Sequence, residues 1–315
     1  MRVAVPLALD PAALAGLDPR AAVTTLGGDT MGTTWRVRVA GAADGLGGAI
    51  ATRLAGLVAE MSHWDAGSLL SRFNRAAADT WHALSPDFAA VIAAGLDVAA
   101  RSGGAFDPAI GALVDLWGFG PPGPQPTPNE GELAAARARS GWRRLRWDAG
   151  GRRLLQPGGC RLDLSGIAKG HAVDAVGDLL AALGHRHHLV EIGGECRGWG
   201  LRPDGEPWWV DVETPPGVTV APLRVAAHEL AVATSGDYVR GEHTIDPRTG
   251  RPATATVAVT VLAATAMVAD AWASALAVLA PDEAMALAMR EGLAVRWLHR
   301  DGQERLSPAL AAMLG

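Results

Sequence analysis

The stretch LDLSGIAKGHAVDAV, Leu162 to Val176, constrains the fold more than any other in this chain. Leu162 and Leu164 alternate with Asp163 and Ser165, which predicts a strand. Gly166 breaks it, and Val173, Val176, Leu179, Leu180 and Leu183 then recur at helical spacing until Gly184. A strand that turns through glycine into a helix presents unsatisfied backbone N–H groups and the positive end of the helix dipole, where an anion binds well. Many such units bind nothing, so on its own the stretch is equally a piece of scaffold.

With 315 residues, 49% hydrophobic and 19% charged, the chain can bury a large core and belongs with soluble globular proteins, as one large domain or two intimate lobes. A net charge of -5 with scattered Lys and Arg argues against a nucleic-acid-binding face. The two cysteines, Cys160 and Cys196, have no metal-ligand spacing and are expected to be free buried thiols of a reducing compartment. The opening residues are interrupted by Pro6, Asp10 and Pro11, too broken for a signal-peptide core, and carry no cysteine for lipid attachment. The longest later apolar run, from Ala255 to Asp270, contains threonines and falls short of the ~20 residues of a membrane span. The expectation is a cytoplasmic protein without an integral membrane segment; an export signal outside this sequence stays open.

Residues 1–20 read as a partly flexible lead, and 21–315 as one domain. MGTTWRVRVA (31–40) alternates as a strand, Ile50 to Met61 fall on one helix face, and MSHWDAGSLLSRFN (61–74) reads as a polar loop. Ser85 and Pro86 open a helix that Ser102, Gly103 and Gly104 stop. After GAFDPAIGALVDLWGFG (104–120) and a proline-rich loop comes another helix, then a hairpin turning at Asp148 to Gly151. Strands follow in HRHHLVEIGG, WWVDVE, LRVAAHELAVATSG and TATVAVTVL; a helix stopped by Pro281, a second helix, strand VRWLH and a short helix from about Ser307 finish the chain. Strand clusters interrupted by single helices favour α+β over a doubly wound sheet.

Few groups offer chemistry. Asp270 and Ser274, at i and i+4, share a helix face and could hold a hard cation such as Mg²⁺, or could be a buried Asp bonded to a helical Ser. His243 precedes the turn IDPRTG and could accept a proton or simply serve the loop, while Asp246 suits a turn-former. Trp64 and Phe106 could stack on a planar ring or belong to the core. His185, His187 and His188 lack the carboxylates or thiolates of a metal cluster. GxxxxGK[ST] and GxSxG are absent.

Taken in order, MGTTWRV, MSHWDAGSLLSRFN, GAFDPAIGALVDLWGFG, LDLSGIAKGHAVD, VEIGGECRGWG, ATSGDY, HTIDPRTGRP and VADAWASAL closely resemble the ApbE family, the FAD:protein FMN transferases, from about Met31 to the final helices. The resemblance implies a single two-lobed α+β domain of mixed and antiparallel sheets with helices, and an FAD cleft between the lobes. It implies a Mg²⁺-dependent transferase that cleaves FAD, attaches FMN through a phosphoester to a Thr or Ser of an acceptor flavoprotein, and releases AMP. FAD would be met by Met31, Trp64, Ala105, Phe106, Asp107, Asp163, Lys169 and Ile245. The metal would be held by the Gly166 carbonyl with Asp270 and Ser274, and His243, or less favourably Asp246, would act as base. Ser274 stands where the family often has threonine and Trp64 where it often has tyrosine. The alternatives are an FAD pyrophosphatase, yielding FMN and AMP, and a non-catalytic FAD-binding protein.

Overall fold

Hydrophobic alternation and hairpin turns build the chain's mostly antiparallel sheets, between which helices take up more residues than the strands. The structure, a computed structural model, describes residues 1–237, 244–254 and 256–314. In chain order they form β1 (Arg2–Ala4), β2 (Val23–Thr30), β3 (Thr33–Ala40), α1 (Leu46–Met61), α2 (Leu69–Arg75), β4 (Thr80–Ala83), α3 (Pro86–Arg101), α4 (Gly111–Leu116) and α5 (Glu130–Arg139). Next come β5 (Arg146–Asp148), β6 (Arg153–Gln156), α6 (Ala168–Ala182), β7 (His188–Ile192), β8 (Glu195–Trp199), β9 (Trp208–Val212), β10 (Leu223–Ala227) and β11 (Leu230–Gly236). The chain ends with β12 (Ile245–Asp246), β13 (Arg251–Pro252), β14 (Thr256–Ala263), α7 (Ala266–Ala277), α8 (Pro281–Glu291), β15 (Ala294–His299), β16 (Glu304–Leu306) and α9 (Pro308–Met313).

The centre is an antiparallel sheet ordered β16-β15-β14-β11-β8-β7-β3-β2. On β3, Trp35, Val37 and Val39 point inward as their alternation predicts. Helices α6 and α7 cover one face, with α1 and α3 behind them, and bury Ile50, Leu54, Phe88, Val173 and Trp272. Trp272 is almost fully enclosed, and its truncation to Ala would cost about 3–5 kcal/mol. The opposite face packs on a second sheet, β1-β10-β9, and on α9 through Leu189, Val232, Trp208 and Leu310. A third, smaller sheet is ordered β4-β6-β5. This is the expected α+β architecture.

Several local expectations hold. Ser85 caps α3 with Pro86 in its first turn, the hairpin turns at Asp148 to Gly151, Ser307 caps α9, and both cysteines are free and buried. Others need correction. Leu162 to Leu164 form no strand: the Asn74 amide brackets Leu162, receiving its N–H at 2.7 Å and donating to its carbonyl at 2.9 Å, while Asp163 N–H donates to the Pro108 carbonyl. A side chain here replaces a neighbouring strand. The polar segment 61–74 ends in α2, because the Ser68 hydroxyl accepts the Ser71 N–H and closes a cap. β2 escaped the pattern because it is an edge strand with mostly exposed residues. Pro281 opens α8 rather than stopping α7, which ends at Ala277. In the lead, Arg2–Ala4 pairs with Leu223–Val225 and Ala4 is fully buried.

Candidate active site

The site begins where α6 meets α7. Gly170 on α6 lies so close to α7 that a Cβ there would stand 2.2 Å from the Ala266 carbonyl oxygen. Asp174, one turn on, accepts the N–H groups of Ala266 at 3.1 Å and Met267 at 2.9 Å, so its carboxylate caps the positive end of α7. The two contacts fix the register in which Asp270 and Ser274 face the chain entering α6. Ser274 Oγ donates to the Gly166 carbonyl at 3.4 Å, and Asp270 Oδ2 accepts the Gly170 N–H at 3.0 Å. A Cβ on Gly166 would sit 2.6 Å from Ser274 Oγ, so only glycine leaves room there. The helix start is less bare than expected: Ala168 N–H returns to the Leu164 carbonyl and Gly170 N–H is taken by Asp270.

Charge is concentrated at this corner. Lys169 donates its ammonium to Glu195 at the start of β8, and Arg197, two residues along, pairs with Asp174 at 2.8 Å. Burial pushes the Asp270 carboxyl above its ordinary range, against the pull of Lys169. Burial also raises Glu195 to about 7, with the nearby Asp270 charge adding to it and Lys169 opposing. Glu195 Oε2 is buried with no hydrogen-bond partner among the described residues.

The facing wall is made of loops. Trp64, 64% exposed, and Phe106, buried, offer aromatic surface beside Ala105 and the buried Ile245. Asp107 accepts the N–H groups of Ala109 at 2.8 Å and Trp142 at 2.9 Å, yet burial raises its carboxyl to about 6. Asp163 behaves oppositely. Burial would raise it, but the bonds from His63 and the Ser165 N–H outweigh that and hold it below the ordinary range. His63 Nδ1 lies 3.5 Å from Asp163 Oδ1, and this partner lifts its pKa above the usual histidine value despite burial.

One cavity of about 760 Å³ is lined by Trp64, Ala105, Phe106, Asp107, Asp163, Gly166, Lys169, Ile245, Asp270 and Ser274, and so brings together ten residues expected from sequence. Met31 is not in the lining; it occupies the β2–β3 turn at φ 49° and packs against the core. Asp246 is not in the lining either, and its carboxylate receives Arg248 through Nε and Nη2, both at 3.0 Å, as a turn-former would. His243 lies outside the described residues; Thr244, its neighbour, lines the cavity. His63 and Glu195 also line it and had not been singled out. Glu195 had a sequence signal: ECRGW alternates two charges on a buried strand, and they match Lys169 and Asp174 of the next helix face.

Among the described residues no three His, Cys, Asp or Glu side chains converge to hold a metal alone. The oxygens of Gly166, Asp270 and Ser274, with the Asp270 carboxylate buried, are nevertheless the donor chemistry Mg²⁺ takes. These features define a class: an α+β protein whose cleft pairs a hard-cation corner with an aromatic wall, suited to a large ligand that is anionic at one end and planar at the other.

The chain belongs to the ApbE family, whose sequence model matches residues 31–297. A Klebsiella pneumoniae protein named FAD:protein FMN transferase is 35% identical over 305 residues, covering 90% of this chain and 87% of the relative. A Vibrio cholerae protein of the same name is 38% identical over 294 residues, covering 87% of each. The fold matches the apo crystal structure of Pseudomonas stutzeri flavinyl transferase ApbE with a TM-score of 0.86 at 36% identity, over 93% of this chain and 97% of that one. The flavin transferase ApbE from Vibrio cholerae matches equally, with a TM-score of 0.86 at 35% identity over 93% and 99% of the two chains. Among the described residues no helix is long and apolar enough to cross a membrane.

Proposed function

We propose that this chain is a Mg²⁺-dependent FAD:protein FMN transferase that joins FMN to a Thr or Ser hydroxyl of an acceptor flavoprotein and releases AMP. The observation that carries the reading is the convergence of Gly166, Asp270 and Ser274 with Trp64, Phe106, Asp107, Asp163 and Lys169 on one cavity, in a chain of the ApbE family. Trp64 and Phe106 would receive the planar part of FAD, and Lys169 its anionic part. Gly166, Asp270 and Ser274 would hold Mg²⁺, which supplies Lewis-acid stabilisation of charge on the phosphoryl oxygens.

In the reaction the acceptor oxygen bonds to the FMN phosphorus as the pyrophosphate P–O bond to AMP breaks. His243 takes the hydroxyl proton, and AMP leaves as a phosphate monoester. Asp246, engaged by Arg248, is left to shape the loop. A domain of residues 21–315, preceded by a lead whose β1 joins the second sheet, and a cytoplasmic location complete the proposal.

The test is to incubate the protein with FAD, Mg²⁺ and a Thr-containing acceptor and to weigh the acceptor. An increment equal to FMN supports transfer; AMP and free FMN with an unmodified acceptor establish hydrolysis; unchanged FAD establishes a binder. His243→Ala should abolish transfer while FAD binding persists, and full activity in that variant removes the histidine from the mechanism.

A further inference from the structure

Glu195 has no part in the reaction drawn above, yet it is 2% exposed and lines the same cavity as Gly166, Asp270 and Ser274. β7 turns through Gly193 and Gly194 and delivers it as the first residue of β8. Its Oε1 receives the Lys169 ammonium; its Oε2 is buried and meets no hydrogen-bond donor among the described residues. Leaving a buried carboxylate oxygen unsatisfied is costly, and folds keep such an atom where something besides the protein completes it.

Glu195 and Asp270 line the same cavity, and Asp270 is within electrostatic reach of Glu195. Direct ligation of a cation by Glu195 is unfavourable, because Lys169 already occupies the carboxylate and its ammonium would stand against the metal. One water further out, the objection disappears. Mg²⁺ gives up its waters reluctantly, and three protein oxygens leave several in place, each needing an acceptor.

We propose that Glu195 is a positioning residue of the metal site: its Oε2 accepts hydrogen bonds from water retained by a Mg²⁺ on Gly166, Asp270 and Ser274, while its Oε1 fixes Lys169. This rests on the Mg²⁺ reading above. Outer partners of this kind change metal affinity about 10- to 100-fold.

The experiment is calorimetric titration of the full chain with MgCl₂, with and without saturating FAD, for wild type, Glu195→Gln and Lys169→Met. Gln keeps the shape and an oxygen for Lys169 but turns an N–H₂ toward the water. Glu195→Gln should weaken Mg²⁺ about 10- to 100-fold, with FAD affinity in the absence of metal and the metal-free unfolding midpoint preserved. Lys169→Met, which removes a positive charge, should bind Mg²⁺ at least as tightly as wild type. An unchanged Mg²⁺ affinity in Glu195→Gln overturns the proposal, as does equal weakening in Lys169→Met, which would make Glu195 act only through the lysine. Absence of Mg²⁺ binding in wild type overturns the metal reading itself, a result distinct from the other two.

Discussion

On one wall of the cleft Lys169 and Glu195 stand at the starts of α6 and β8 and Asp270 and Ser274 in the middle of α7, with both carboxylates pushed up by burial. On the other, His63, Trp64, Phe106 and Asp107 stand on loops whose shape is set by side-chain-to-backbone bonds, such as Ser62 Oγ accepting the Trp64 N–H at 3.2 Å. The first wall is anchored by Asp174 capping α7 and by the close pass at Gly170, so its polar atoms cannot retreat from one another. The second is held by single side-chain contacts, His63 to Asp163 and Asp107 to the Trp142 N–H, and its aromatic ring at Trp64 stays in solvent. Under the proposed roles, the metal donors are held by packed elements, and the aromatic groups offered to the flavin sit on loops.

The comparison breaks most sharply at Asp270. Asp270→Ala removes the only carboxylate among the proposed metal donors, and FMN transfer should fall at least about 100-fold. The same variant should keep FAD binding in the absence of Mg²⁺, since the facing wall is untouched. Its metal-free form should lose some stability, because the buried Gly170 N–H is left without its acceptor, offset in part by removal of a carboxylate that burial pushes up. AMP release from FAD across a Mg²⁺ series measures the first effect, and flavin fluorescence titration the second. Retention of Mg²⁺-stimulated turnover would place the metal elsewhere.

The next effect separates two aspartates of the loop-side wall. Asp107 is raised to about 6 from an ordinary 3.8, so its ionised form opposes folding. Its protonated form favours the native state at low pH, and this contribution disappears as pH rises between about 4 and 6. The loss is about 3 kcal/mol. Asp163, held low by His63 and Ser165, has the opposite sign, and its contribution is lost only as pH falls below the ordinary carboxylate range. Asp107→Asn should therefore flatten the pH dependence of stability between about 4 and 6, measured by urea unfolding in chelator. One hydrogen bond of the Ala109 and Trp142 pair is lost in that variant at every pH, so the difference in slope carries the result. Glu195 is raised for the same reason and continues the fall to about 7 in both proteins, which leaves the comparison intact.

The two walls also differed in how far they could be read from the sequence. The helix periodicity around Val173 and Val176, and the i, i+4 spacing of Asp270 and Ser274, are local, and both elements formed where expected. The Leu162–Leu164 segment showed the alternation of a strand and is none, because its backbone partners are the Asn74 amide and a proline carbonyl far away in the chain. α2 was concealed because a polar segment becomes a helix here through one serine cap. Glu195 and His63 acquire meaning only from partners at Lys169 and Asp163, distant in sequence and adjacent in the fold. Pairings across more than a turn or a hairpin leave no periodic trace, and the chemistry of this cleft is made of such pairings.

The smallest expected effect tests whether the exposed ring belongs to the cleft at all. Trp64 is tilted against His63 with ring centroids 5.2 Å apart, so it has one packed edge and an open face. If that face receives the flavin, Trp64→Ala should weaken FAD binding about 3- to 10-fold, the size of one aromatic stacking contact. Because the side chain is 64% exposed, the unfolding midpoint should hardly move, and the rate at saturating FAD should be preserved. Trp64→Tyr keeps a stacking face and should recover most of the affinity. Unchanged FAD affinity in Trp64→Ala would confine recognition to Phe106 and Ile245, making the buried part of the loop wall sufficient and the exposed ring incidental. A fall in stability instead would mean that Trp64 props His63 against Asp163, and the loop wall would then be as preorganised as the helical one.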